Sequence, residues 1–316
     1  MNESKLRKRY LSLKGERQSS DLESAWDDIE KYVRPFSGGF FESYNTEGEN
    51  RWRRSEIYNS TAVIAADSLA ASIQGLLINP ADKWFESLYR NEKLNRDDSA
   101  KEYLERSNGA VYQALTKSNF DINAAEFFLD LVTYGTGIVT EETLDEVVWK
   151  GLDFGTSPVR DSFYEVNVYG ELVYFFRRYM WTPLQIIERF GIDNVPETVK
   201  EKAESGTVHE KLECFLAIYP RKDKAPVMGA DKVIPTERPI GYKYILSSSA
   251  EMLGEEGGYY EMPVFLAHWK STSTSKWGKS PAMDVLADIL NVNEWQQIQR
   301  EAGAKSVDPA LLVQDR

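Results

Sequence analysis

The stretch Trp277-Gly-Lys-Ser-Pro-Ala-Met-Asp284, with the run that follows it to Pro309, constrains this chain most. Ser280 suits a helix N-cap, and Pro281 suits the first helical position, where a missing N–H costs nothing. From there to Lys305 no further proline intervenes, and the only glycine is Gly303. Val285, Ile289, Val292, Trp295, Ile298 and Ala302 recur at spacings of three and four, the pattern of an apolar stripe. Asp284, Asp288, Asn291, Glu294, Gln297, Glu301 and Lys305 recur in the same way and read as another face. The pattern predicts one helix of about 25 residues, ~38 Å long at 1.5 Å per residue. Val307-Asp308-Pro309 stops it. Taken alone, this is a long surface helix with one buried side.

The rest of the chain is helical first and strand-rich later. Residues 3–34 predict two helical segments, carried by Leu6, Tyr10 and Leu13, then Leu22, Trp26, Ile29 and Val33, with Ser20 and Asp21 between them as cap residues. Lys5, Arg7, Lys8, Arg9, Lys14 and Arg17 make this end basic, either a solvated face or a contact with an acidic neighbour. Residues 35–50 form a Gly-, Ser- and Asn-rich loop that leads to Arg51-Trp-Arg-Arg54. A helix then runs to about Ile78, thinned by Ala62, Ala65, Ala66, Ala70, Ala71 and Gly75 so that another helix can approach closely, and stopped by Asn79-Pro80. Asp98 or Ser99 opens a helix to about Leu115, and another spans about Ile122 to Leu131. Tyr134-Gly-Thr-Gly137 turns the chain into strand-like Ile138-Val139. Glu146–Trp149, Phe163–Val168, Leu172–Phe176, Leu212–Tyr219, Tyr242–Leu246 and Pro263–Trp269 follow as strands. Thr182-Pro183 opens a short helix that Gly191 ends, and residues 196–204 form another. Residues 221–239 and Ser271–Ser275 read as loops.

The residues needed for common chemistries are missing. Cys214 is the only cysteine, and His209 and His268 are the only histidines, so no disulfide framework, zinc cluster or histidine relay can be assembled. Gly278-Lys279-Ser280 resembles the tail of a phosphate-binding loop, but Ser273 stands where its first glycine belongs and Pro281 removes an N–H. Glu141, Glu142, Asp145 and Glu146, with Trp149 nearby, read as a solvated acidic turn. An acidic, aromatic-rich enzyme or binding module for a polymer such as polysaccharide is the alternative they leave open. A net charge of −12 argues against a protein whose main work is gripping nucleic-acid phosphates. No apolar run approaches the ~20 residues a membrane span needs. No catalytic, cofactor or metal site is assigned, and the expected setting is a soluble protein of a reducing compartment.

Taken together, four places resemble the portal proteins of short-tailed bacteriophages, the head-to-tail connectors. They are Tyr32-Val-Arg-Pro35; Ile57-Tyr-Asn-Ser-Thr-Ala62 through Leu77-Ile-Asn-Pro80 to Trp84-Phe85; Ser118-Asn-Phe120 with Tyr134-Gly-Thr-Gly137; and Gly278-Lys-Ser-Pro-Ala-Met283 through Val307-Asp-Pro309. No single piece is diagnostic, but their order and spacing are similar to the family along nearly the whole chain.

The resemblance implies an α+β protomer, mainly helical, with strands in a wing and a long stem helix, assembling into a ring of twelve. The wing would be residues 1–277, the first stem helix 278–306 and the start of the clip 307–316. The family continues through the clip, a second stem helix, a tunnel loop and a crown, so a truncated chain is expected. Double-stranded DNA would pass through the ring during packaging and ejection, without sequence specificity. Partners would be the major capsid protein, scaffold, packaging terminase and tail adaptor, at a capsid vertex of the virion, after assembly in the host cytoplasm. Asp284, Asp288, Asn291, Glu294, Gln297, Glu301 and Lys305 would face the channel as a wall that repels phosphates. Val285, Ile289, Val292, Trp295 and Ile298 would pack protomers together.

Overall fold

A computed structural model describes residues 2–35, 57–79, 83–143, 150–205, 210–223, 233–272 and 275–307. Helices α1 (Glu3–Gln18), α2 (Leu22–Tyr32), α3 (Thr61–Leu77), α4 (Asp98–Lys117) and α5 (Phe120–Tyr134) come first. Strands β1 (Thr136–Thr143), β2 (Leu152–Thr156), β3 (Ser162–Val166) and β4 (Leu172–Trp181) lead to helices α6 (Pro183–Phe190) and α7 (Glu197–Glu204). Then come β5 (Leu212–Pro220), β6 (Ile240–Leu246), β7 (Met252–Tyr259), β8 (Val264–His268), β9 (Lys270–Thr272) and β10 (Ser275–Lys279). Helices α8 (Pro281–Asp284) and α9 (Leu286–Val307) end the described chain. The α+β class expected from sequence is the one found.

The centre is an antiparallel sheet in the order β3-β4-β5-β6-β7. Successive side chains of a strand point to opposite faces, and β5 is buried on both. Its Phe215, Ala217 and Tyr219 meet α1, while Cys214, Leu216 and Ile218 join the larger cluster on the other face. That double burial is why the strand reads as a continuous apolar run. Helix α1 contributes Leu6, Tyr10 and Leu13, and the Tyr10 ring stacks on Phe215 at 4.4 Å and meets Phe163 edge-on at 5.3 Å. Large side chains buried this completely contribute about 1.5–3 kcal/mol each.

The other cluster is built from α2, α3, α5 and the smaller antiparallel sheet β2-β1-β8. Ala66 and Ala70 are the buried residues of α3, which packs along α5. Small side chains at that contact let the two backbones come close, as the alanine-rich pattern predicts. Helix α4 differs from its neighbours: Asn108 is its one buried residue. It is held by the extended segment beside it, where Tyr112 Oη donates to the Phe85 carbonyl and accepts from the Phe85 N–H at 2.8 and 2.6 Å.

Three strand features depart from the sequence reading. β2 and β7 are strands that periodicity does not reveal, and the Ser271–Ser275 loop region is flanked by the β9–β10 hairpin. In β7 the reason is glycine. The Tyr242 ring lies where a Cβ on Gly257 would stand, 2.2 Å away, and Gly254 has φ +73°. Glycines forced by close cross-strand packing depress the local strand signal. The loop at residues 35–50, the Arg51–Arg54 cluster, the Glu146–Trp149 strand and the expected clip segment at 307–316 lie almost wholly outside the described residues.

Candidate functional site

The C-terminal helix starts as its sequence dictates. The Ser280 hydroxyl accepts from the Met283 N–H at 2.9 Å, and Pro281 fills the first helical position. The expected single helix is, however, two. Val285, with φ −111° and ψ 11°, separates α8 from the 22-residue α9. The first turn is clamped to the β9–β10 hairpin, because Asp284 pairs with Lys270 at 2.7 Å and with Lys279 at 2.6 Å. Hydrogen bonds from the two lysines hold the Asp284 carboxyl down at about 2.

The root of this element crosses the end of α5. Gly135, at φ +79°, caps α5, and Gly278 of β10 passes directly over it. Gly278 N–H donates to Thr136 Oγ1 at 3.0 Å, while Trp269 N–H donates to the Gly135 carbonyl at 2.9 Å. Trp277 sits edge-on to Trp26 at 5.1 Å and to Tyr164 at 4.5 Å, and Trp26 Nε1 donates to the Tyr134 carbonyl at 3.2 Å. Two motifs far apart in sequence, Tyr134-Gly-Thr-Gly137 and Trp277-Gly-Lys-Ser280, thus form one junction.

Helix α9 meets the rest of its chain through Leu286, Ile289, Leu290 and Gln297, all half-buried, and through buried Asn293. Asn293 Oδ1 accepts from the Tyr58 and Asn59 N–H groups at 2.8 and 3.2 Å, tying the entry to α3 against the helix. Sequence reasoning missed this residue. Its signal is the set 286, 290, 293 and 297, which shares one side with leucines.

Beside that contact an apolar groove of about 380 Å³ runs between α3 and the α8–α9 element. Ala62, Ala65 and Leu69 form one wall, Val285, Ile289 and Val292 the other, and among the described residues Asp288 is the only charged side chain in the lining. Of the expected packing residues, Ile289 is half-buried, whereas Val285, Val292, Trp295 and Ile298 are 47%, 46%, 68% and 54% exposed. Among the expected channel residues, Asn291, Glu294, Glu301 and Lys305 are exposed. Asp284 is in its lysine clamp and Asp288 in the groove, while Gln297 donates to Glu301 at 3.1 Å.

The two stripes are therefore not opposite sides. At ~100° per residue, Asp288 and Trp295, seven apart, fall within about 20° of each other. Apolar and polar residues cross on the outward surface of α9.

Among the described residues no catalytic centre is assembled. The Gly278-Lys279-Ser280 tripeptide is used structurally: packing on Gly135, pairing with Asp284, and a buried cap. Cys214 is buried and its thiol pushed up to about 12 by burial and then by Glu213. Glu142 accepts from Tyr259 Oη at 2.8 Å, and burial raises Glu141; Asp145, Glu146 and Trp149 lie outside the described residues. His268 is pushed down by burial and shares a 3.1 Å hydrogen bond with Tyr164 Oη. Among the described residues no group of three or more His, Cys, Asp or Glu could hold a metal ion, and no helix is long and apolar enough to cross a membrane.

Comparison with known proteins agrees with the expectation drawn from sequence. Residues 3–316 match the model of a family described as bacteriophage head to tail connecting protein. A portal protein of Salmonella phage epsilon15 is 24% identical over 311 residues, covering 98% of this chain and 54% of its own length. A probable portal protein of Bordetella phage BPP-1 is 24% identical over 310 residues, covering 96% and 53%. The chain spans about half the length of the curated relatives it matches.

Proposed function

The chain belongs to the bacteriophage head to tail connecting protein family, and from that premise we propose that it is a portal subunit, structural and not catalytic. It assembles into a ring, of twelve copies, at one capsid vertex, through which double-stranded DNA is packaged and ejected without sequence specificity. Residues 1–277 serve as the wing, 278–306 as the first stem helix and 307–316 as the start of the clip. The ring is a virion component that is assembled in the host cytoplasm. It meets the major capsid protein and scaffold, the packaging terminase and later the tail adaptor.

The observation that carries this reading is the apolar surface left open along the stem helix. Val285, Val292, Trp295 and Ile298 are each about half exposed or more, beside an apolar groove. A monomer gains nothing from such a surface, whereas a neighbouring copy buries it. The exposed Asn291, Glu294, Glu301 and Lys305 face the channel, and repetition around the ring turns each into a belt of identical groups. Glu294 and Glu301 make two acidic belts, so phosphates slide past without adhering.

Native mass spectrometry of the full-length protein tests the assembly. A closed ring is the expected species. A monomer at micromolar concentration rejects the reading.

A further inference from the structure

A cyclic assembly repeats one heterologous contact, so each subunit must carry two different and complementary patches. The five-stranded sheet has two edges, β3 and β7, four strand steps or about 19 Å apart at ~4.8 Å per step. The charge beside them is opposite.

At the β3 edge, α1 and Glu165-Val166 enclose an open cleft of about 770 Å³. Two of its cations are satisfied within the protomer: Arg9 pairs with Glu165 and Lys276 with Glu16, both at 3.0 Å. Lys5 and Lys8, also in the lining, are exposed and have no ion-pair partner among the described residues. Free cations concentrated at one cleft are unusual on a chain of net charge −12.

At the β7 edge the balance is reversed. Phe190 at the end of α6 packs on Gly254 of β7, and the turn Ile192–Asn194 rests on the same strand. Beside them Asp193, Glu251 and Glu255 are exposed, as are Glu201 and Glu204 on α7, which packs against α6. These five carboxylates have no ion-pair partner among the described residues and outnumber the one exposed cation of α6, Arg189.

We propose that the Lys5–Lys8 cleft of one subunit docks the acidic β7-edge surface of a second copy of this chain. The sheet's charge polarity would thereby set the head-to-tail direction of the ring. The occupant follows from complementarity: the copy already carries the matching charge on the opposite edge, where a closing rotation brings it round. Such a contact acts through steering and register more than through raw affinity, and it weakens with salt.

This inference rests on the ring reading, and a charge swap separates the two. In the full-length protein, Lys5→Glu with Lys8→Glu, or Glu201→Lys with Glu204→Lys, should raise the concentration for half-assembly by about tenfold. Added salt should narrow the difference. The protomer fold should be unchanged, since all four side chains are exposed. Combining both reversals in one chain should restore assembly. If the wild type forms rings and neither reversal weakens them, or the combined variant is not restored, the docking is wrong while the ring stands. A wild-type monomer rejects both.

Discussion

Gly278 lies so close over Gly135 that a Cβ on Gly278 would stand 2.0 Å from the Gly135 carbonyl oxygen. The converse is equally tight, because a Cβ on Gly135 would stand 2.6 Å from the Gly278 carbonyl oxygen, at a φ of +79° that L side chains rarely adopt. Backbone, not a flexible side chain, is the obstacle on both sides. The C-terminal helix therefore leaves the rest of the chain at an angle fixed by two glycines.

Gly278→Ala should consequently destabilise the protomer by about 3 kcal/mol or more, because backbone atoms of Gly135 occupy the space the added methyl needs. Gly303→Ala is the contrasting variant. A Cβ there meets nothing within 4 Å in a helix, so a gain of about 0.5–1 kcal/mol is expected. Chemical denaturation of both variants checks the pair. Equal effects would show that the crossing is not the constraint.

Asn293→Ala removes the acceptor for two backbone N–H groups, those of Tyr58 and Asn59. Both donors are half-buried, so the expected cost is about 1 kcal/mol per lost hydrogen bond. Hydrogen exchange should locate the loosening at the start of α3. An unchanged exchange rate at Tyr58 and Asn59 would refute the tie.

Glu294→Lys and Trp295→Ala are adjacent substitutions with opposite expected outcomes. Trp295 is 68% exposed in the single protomer, so its loss should move protomer stability by no more than about 0.5 kcal/mol while weakening the ring. Glu294→Lys should leave the ring intact but stall DNA passage in a packaging assay, with partial relief by salt. A neutralised phosphate changes the log–log salt slope of DNA affinity by ~0.9 per contact. Packaging at the wild-type rate by the Glu294→Lys ring, with the substituted side chains lining the channel, would refute the repelling wall.

The acid response should report Glu256. Burial pushes this carboxyl up, but hydrogen bonds from Lys243, Arg221 and Tyr219 together outweigh it and hold it at about 2. A carboxyl depressed in the folded state stabilises above its ordinary value of about 4.3, and that contribution is lost as pH falls through the folded value. Thermal stability should therefore drop between about pH 5 and pH 2, and Glu256→Gln should flatten that part of the curve. An identical slope in the variant would assign the response elsewhere.

Much of the architecture was legible without coordinates, because it depends on near neighbours. Caps, proline positions and the three-and-four spacing are local, so Ser280-Pro281, Thr182-Pro183 and the apolar positions of α1 and α2 specify their helices directly. The apolar double face of β5 likewise announces burial on both sides. The order of four separated motifs sufficed for the family. Tertiary structure decided what depends on distant partners. Lys270 and Lys279 hold the first turn at Asp284, and the helix breaks at Val285, where spacing predicted continuity. Gly254 and Gly257 suit a strand only because Phe190 and Tyr242 come to lie against them. Asn293 is a polar residue among leucines until Tyr58 and Asn59, more than two hundred residues earlier, supply its donors. Periodicity encodes which side of a helix a residue occupies, but the groups that meet that side arrive through the fold, and no local pattern carries their identity.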